Sequence, residues 1–357
     1  MGMTIAQVGH HDPSYARNRI LAKALRRAGA EVPILSDPAR WPQRTPHLYS
    51  AIRRLRVDAI LVGFPGHADV FTARLGRGPS APVIFDAFVP LYESAVDDRG
   101  TARWRSPTAL RYWLEDVLAC RAADHVLCDT QAHIDYLSDL VHLPAQRFTR
   151  VWVGADDDIM SPEPLPSTDG PFRVFFYGGF LPLHGVDTIV RAAKIVEMRT
   201  GEIEFTLVGS GPTYLYVRRL AADLAVGNIT FVGRVPYDTL REMIATSHLC
   251  LGIFGTNPKA QRVIPNKVFD ALAVGRPVVT ADTPAVREAL VPDVHAALVP
   301  AGDPEALADA ILRLRGDWGL AGSLAKAGHV LFRERFSIDA LSRDLAVLVQ
   351  QLVEARS

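Results

Sequence analysis

Residues 259–284 read KAQRVIPNKVFDALAVGRPVVTADTP. A loop carrying Lys259 and Arg262 leads to Ile264, Pro265 and Asn266. A short apolar helix is expected over 267–274, stopped by Gly275. Pro277 then introduces Val278, Val279 and Thr280, a buried strand that opens into Asp282, Thr283 and Pro284. Loop, helix, glycine and buried strand form the repeating unit of an α/β sheet. The helix start offers unpaired N–H groups and a positive dipole end, with cations beside it. That combination predicts an anion site, and phosphate is the first choice of anion.

The same alternation extends in both directions. Strands are expected over 4–8, 32–35, 59–62, 83–85, 125–128 and 149–153, with helices over 15–28, 107–122 and 132–140 among them. Between 156 and 170 the text changes to DDDIMSPEPLPSTDG, rich in Pro, Asp and Ser. Alternation then restarts, with strands over 173–177, 204–208, 229–232, 249–253, 278–280 and 297–299. Continuous apolar strands alternating with helices predict parallel, doubly wound sheets. The expected domains are 1–160 and 171–336, joined by a linker over 161–170. An amphipathic helix over 337–357 either packs on the second domain or crosses back to the first. Two doubly wound domains bring strand C-termini to ligand-binding crevices, so they are expected to face each other across a cleft.

Composition narrows the function. With 357 residues, two cores are the default. Lys+Arg and Asp+Glu both number 39, so formal net charge is zero and bulk nucleic-acid binding is not expected. Cys120, Cys128 and Cys250 form neither a disulfide framework nor a zinc motif, which fits a reducing compartment. No leader pattern and no apolar run long enough to span a bilayer is read, so a cytoplasmic location is expected.

Glycine loops mark the strand ends of the second half. Gly178 and Gly179 follow Tyr177, and Leu183-His184-Gly185 leads into a helix. Gly209-Ser210-Gly211 ends the next strand. Glycine there lets backbone N–H groups approach a ligand, although many α/β turns carry it for packing alone. Neither loop fits G-x-G-x-x-G, so a nicotinamide cofactor is not expected.

Taken together, five blocks resemble glycosyltransferase family 4, the retaining nucleotide-sugar transferases of GT-B fold. They are YGGFLPLHGVDTIVRAA, TLVGSGP, ITFVGRVPYDTL, NKVFDALAVGRPVVTADTPAVRE and LVPAGDPEALADAI. The likeness is strongest over about 150 residues of the second domain. AADHVLCDTQAHIDYL and VWVGADDDIMSP extend it loosely into the first. The resemblance implies that Asp270 binds the ribose hydroxyls of the donor, where the family usually carries Glu. It puts Gly209, Gly211, Arg234 and Val235 near the base and ribose, and Val263, Ile264 and Asn266 near the sugar and diphosphate.

Three further positions depart from the family pattern. Arg262 stands where the first Glu of Glu-x7-Glu is usual, and Gly179 and His184 replace the usual Arg and Lys. Charge is therefore expected to have moved to Lys259, Arg262 and Lys267, since a buried diphosphate needs a counter-charge. His184, mostly neutral at pH 7 by its reference pKa, could hydrogen-bond a phosphate or the transferred sugar.

The implied chemistry breaks an anomeric C–O bond and builds negative charge on a leaving diphosphate, which preorganised cations and N–H groups stabilise. The resemblance implies a reaction that generally needs no metal, and no Asp-x-Asp strand end of the metal-using kind is read. No cofactor is expected beyond the sugar-nucleotide co-substrate. The assigned catalytic group is Asp86, His184 and Arg262. The acceptor side is expected to use His10, His11, Tyr92, Glu93 and Arg99, with a glycan, lipid-linked glycan or small metabolite as acceptor. Arg103-Trp104-Arg105 reads as a solvated loop, with peripheral membrane contact as its alternative.

Plainer readings stand beside each assignment. Asp270 could be a surface carboxylate, and Lys259 and Arg262 could be solvated loop charges. A cation in a first helical turn opposes the dipole, so Lys267 argues for a bound anion. His10 and His11 have no third ligand at metal spacing. The rival functions are a nucleotide-sugar epimerase on the same fold and a catalytically degenerate sugar-nucleotide-binding protein.

Overall fold

The computed structural model describes residues 2–10 and 15–356. The chain divides into two compact units. One takes the residues up to Val153 together with those from Ile338 onward, and the other is Gly154–Ser337.

The first unit holds six strands: β1 (Ile5–Gly9), β2 (Ile34–Ser36), β3 (Ala59–Val62), β4 (Val83–Asp86), β5 (His125–Cys128) and β6 (Phe148–Arg150). They pair in parallel in the order β2-β1-β3-β4-β5-β6. Every residue of β1, β3, β4 and β5 is buried, as expected for strands covered on both faces. The helix Ile338–Glu354 packs on the helix Ala16–Arg27 of this unit. Its buried residues Leu341, Leu345 and Leu348 recur at helical spacing, and Arg27 pairs with Asp339 at 2.5 Å.

The second unit holds β7 (Phe172–Gly178), β8 (Ile203–Gly209), β9 (Ile229–Val232), β10 (Leu249–Leu251), β11 (Val278–Ala281) and β12 (Ala297–Val299). The order is β12-β11-β10-β7-β8-β9, again all parallel. Counted within the unit, this is the doubly wound 3-2-1-4-5-6 arrangement read from the other edge. Strand order reverses between β7 and β10, and ligands bind at the carboxyl ends of strands flanking such a point.

The helix after β10, Asn266–Val274, is buried along its whole length from Lys267 onward. Gly275 ends it at φ 74°, a left-handed conformation that glycine adopts without strain. Val268, Phe269 and Leu272 are each about 1% exposed, and burying such side chains stabilises by roughly 1.5–3 kcal/mol apiece. Phe269 meets the Phe336 ring edge-on at 5.0 Å. The same helix contacts β7.

The Pro-rich stretch 161–170 lies in the second unit and is strapped to it. Arg276, fully buried, donates to the carbonyls of Glu163 at 2.6 Å and Pro164 at 2.7 Å. Arg241 pairs with the Glu163 carboxylate. A segment whose composition suggests a free linker is thus held by two arginines from distant parts of the chain.

Candidate functional site

The switch point of the second unit gathers four side chains. Tyr177 and Gly178 end β7, His184 closes the 3-10 turn Pro182–His184, and Lys267 and Asp270 lie on the helix Asn266–Val274. A methyl group on Gly178 would lie 2.8 Å from His184 Cε1 and 3.4 Å from Lys267 Cε. Both side chains therefore close on the same glycine.

Lys267 is 6% exposed. Its Nζ sits 5.1 Å from the Phe176 ring centre and 5.8 Å from that of Tyr177. Burial pulls its ammonium down to about 7, with the nearby Asp270 charge opposing. An ammonium so placed is half neutral near pH 7, and an incoming anion restores its charge. His184 is buried, and burial together with Lys267 holds it well below the usual imidazole range. The Leu181 N–H donates to its Nδ1 at 3.4 Å, which leaves the proton on Nε2 and makes that nitrogen a donor.

Asp270, 2% exposed, accepts from Tyr237 Oη at 2.8 Å on Oδ1 and from Tyr177 Oη on Oδ2. The plain reading of Asp270 as a solvated surface carboxylate is thus wrong, because both oxygens are engaged inside the unit. The sequence assigns no site role to Tyr177 or Tyr237. The available signal was an aromatic residue closing the strand at the switch point, followed by Gly-Gly.

The glycine loops have a backbone explanation. A Cβ on Gly209, at φ +122°, would lie 2.0 Å from the Gly178 carbonyl oxygen. One on Gly211 would lie 1.6 Å from the Gly179 oxygen. Close approach of the β7 and β8 ends accounts for both residues without a ligand. Gly179 has no such crowding, its nearest contact being Leu181 Cγ at 3.7 Å.

Around this centre, Arg234 is exposed and its Nε donates to Ser210 Oγ at 3.2 Å, with Val235 half-buried beside it. Ile264 is core, while Val263 and Asn266 are half-buried. Lys259, 5% exposed, lies in the 3-10 turn Pro258–Gln261, so it is not a solvated loop charge. Arg262 caps that turn and is half-buried.

Residues 171–317 match the model of the family described as Glycosyl transferases group 1. Across 99% of this chain and all of the other, the structure is similar to sucrose-phosphate synthase from Thermosynechococcus elongatus, with a TM-score of 0.77 at 19% identity. It is also similar to the Anabaena protein Alr3699/HepE in complex with UDP-glucose, at 0.75 and 17% identity over 98% of this chain and all of that one.

The fold is GT-B.

Among curated proteins, the amylovoran biosynthesis glycosyltransferase AmsK of Erwinia amylovora is 22% identical over 58% of this chain and 52% of its own length. The alpha-D-kanosaminyltransferase of Streptomyces kanamyceticus is 23% identical over 66% of this chain and 62% of its own. The chain thus spans about half to three-fifths of the length of these relatives.

In the N-terminal GT-B unit the expected acceptor residues scatter. Asp86, at the end of β4, is fully buried and pairs with Arg17 through Nη2 at 2.9 Å. Arg17 Nη1 also donates to the Val151 and Trp152 carbonyls, each at 2.8 Å. Asp86 is therefore a sealed ion-pair partner with no surface to offer an acceptor, which corrects its placement as a catalytic group. Glu93 is likewise sealed, 3.3 Å from His133 Nε2, and His133 Nδ1 lies 2.7 Å from Asp129. Burial disfavours the His133 charge, but Glu93 and Asp129 outweigh it and push the imidazole up to about 10.

Arg99 is exposed and Tyr92 half-buried. Burial and Asp97 raise the Tyr92 phenol. His10 is exposed, with its ring Nδ1 3.2 Å from the Asp37 carbonyl. His11 lies outside the described residues. Among the described residues no His, Cys, Asp and Glu cluster could hold a metal, and no helix is long and apolar enough to cross a membrane.

Proposed function

We propose that the protein transfers a sugar, with retention, from a nucleoside-diphosphate sugar to a hydroxyl of a carbohydrate-bearing acceptor. The observation that carries this reading is that the buried Lys267 and His184 side chains close on Gly178, at the switch point of the unit that matches group 1 glycosyltransferases. The leaving diphosphate gains negative charge as the anomeric C–O bond breaks. Lys267, charged by a proton taken from solvent when the donor binds, meets that charge, and His184 donates a hydrogen bond. The acceptor hydroxyl gives its proton to the departing phosphate oxygen as its oxygen bonds to the anomeric carbon. Arg262 and Lys259 supply further positive charge, so the step is written without a metal. Asp270 serves the ribose, with Tyr177 and Tyr237 setting its orientation.

Acceptor binding falls to the N-terminal unit, where Tyr92, Arg99 and His10 keep accessible surface. Relatives point to different donors: Alr3699/HepE is complexed with UDP-glucose, while a Mycobacterium tuberculosis mannosyltransferase is GDP-mannose-dependent.

A thermal-shift panel of UDP, GDP, ADP, dTDP and CDP tests the reading, because a ligand that binds only the native state raises the melting temperature. One base is expected to stand out. No shift with any of the five contradicts donor binding. The rival reading is a binding protein without turnover. Tight diphosphate binding with no release from any donor sugar would establish it.

A further inference from the structure

The geometry points to an oxyanion site in the N-terminal unit, at the end of its sheet opposite the strand C-termini. A cavity of about 370 Å³ there is lined by Arg74, Arg121, Arg147 and Arg356 around one carboxylate, Asp124. Asp124 immediately precedes β5, so the cavity is remote along the strands from Asp86 and from Asp129. Arg77 joins the same carboxylate at 3.2 Å, beside Arg74 at 3.3 Å and Arg356 at 2.5 Å. Asp124 also accepts from the Val83 N–H at 2.8 Å. Among the described residues, five guanidiniums thus stand about a single acidic side chain.

Part of this arrangement is local capping. Arg74 donates to the Ala122 carbonyl at 3.0 Å, and Arg147 donates to the Asp124 carbonyl at 2.9 Å and to that of Ala123 at 2.5 Å. Cations at helix C-termini are favourable, but capping needs one or two donors, not five. Arg121 donates to the Val141 carbonyl at 3.4 Å and is exposed. Arg77 shows the crowding: burial lowers it, Asp124 opposes, and Arg356 and Arg74 lower it further.

Like charges gathered this closely call for an anion with several oxygens, which guanidinium forks bind bidentately. The cavity exceeds the size of orthophosphate and includes the apolar Pro82 and Leu352. The ligand class is a phosphomonoester of a small molecule, bound apart from the sugar-nucleotide site.

The test titrates the full chain by calorimetry with inorganic phosphate and with glycerol 3-phosphate at constant ionic strength. Arg121→Gln and Arg74→Gln are compared with Arg333→Gln, an equal charge loss on the second unit. Saturable binding is expected, weakened roughly tenfold by either cavity variant and unchanged by the control. The cavity variants should keep the wild-type response to the preferred nucleoside diphosphate. If Arg74→Gln does not fold, the exposed Arg121 carries the comparison. Absence of saturable binding, or equal weakening in Arg333→Gln, overturns the proposal. So does binding confined to vesicles of phosphatidylcholine and phosphatidic acid in equal parts, with no response to either soluble phosphate, since that would make the face a lipid surface.

Discussion

The Tyr237 hydroxyl donates to Asp270 Oδ1 over 2.8 Å, and Tyr177 holds the other oxygen of the same carboxylate. The group assigned to the donor ribose is therefore oriented before any donor arrives. A carboxylate oxygen has two lone pairs, so accepting one hydroxyl does not by itself bar a second.

Asp270→Asn keeps the volume and removes the charge. Hydrogen bonds to a charged group contribute about 1.5–3 kcal/mol, so nucleoside diphosphate affinity should fall by about ten- to a hundredfold. Tyr237→Phe should cost less, because the carboxylate remains. Calorimetric affinities for the preferred diphosphate check both, and an unchanged affinity in Asp270→Asn removes this residue from the ribose site.

Lys267 couples binding to protons. Its ammonium is lowered from 10.5 to about 7, so at pH 8 it is mostly neutral in the empty protein. Diphosphate binding at pH 8 should then take up approaching a full proton, and little at pH 5.5. Calorimetry in buffers of different ionisation heat reads this number directly. Lys267→Met should abolish the uptake and weaken the diphosphate more than the nucleoside. Equal losses on both ligands would remove Lys267 from the phosphate site.

The two units should respond to pH in opposite directions. His133 is raised from 6.5 to about 10 by two buried carboxylates. Its stabilising charge is complete below the unfolded value and is lost as pH climbs toward 10. Lys267 is depressed, so the unfolded state binds more protons between about 7 and 10.5, and its contribution rises over that span. His133→Gln strands Glu93 and Asp129 and should destabilise by about 3–5 kcal/mol near pH 6, with a smaller difference at pH 9.5. Denaturant unfolding of this variant and of Lys267→Met at both pH values separates the two slopes.

Gly209→Ala tests the backbone account of the glycine loop. Its Cβ would lie 2.0 Å from the Gly178 oxygen at a φ of +122°. A destabilisation of about 3 kcal/mol or more is expected from overpacking and strain. A stable variant with lost nucleotide binding would instead show that the glycine serves the ligand.

Both sheets were legible because parallel strands covered on two faces are continuous apolar runs, and all twelve observed strands fall within or beside the expected ones. The helix Trp318–Arg335 was not legible. Gly319, Gly322 and Gly328 lower its helical propensity, yet Gly328 is what lets it close on the Asn266 helix, since a Cβ there would meet Leu272 Cδ2 at 2.6 Å. The stretch 161–170 looked like a free linker because nothing local shows that Arg241 and Arg276 hold it. At the site, Lys267 and Asp270 stand in one sequence block and His184 in another, and the family resemblance linked them. Tyr177 lies 93 residues from Asp270 and Tyr237 lies 33 away, so their convergence depends on β7 pairing with β10. Asp86 and Glu93 misled because a carboxylate looks the same in sequence whether it faces a ligand or a buried cation.

The central claim is that the switch point holds a sugar nucleotide and turns it over through Lys267. The most direct measurement is release of free nucleoside diphosphate from the matching donor sugar, with and without sugar acceptors, in wild type and in Lys267→Ala. Slow release that an acceptor accelerates, falling by about a hundredfold or more in the variant, is the predicted result. Tight donor binding with no release under any condition, or equal release from both proteins, would contradict it.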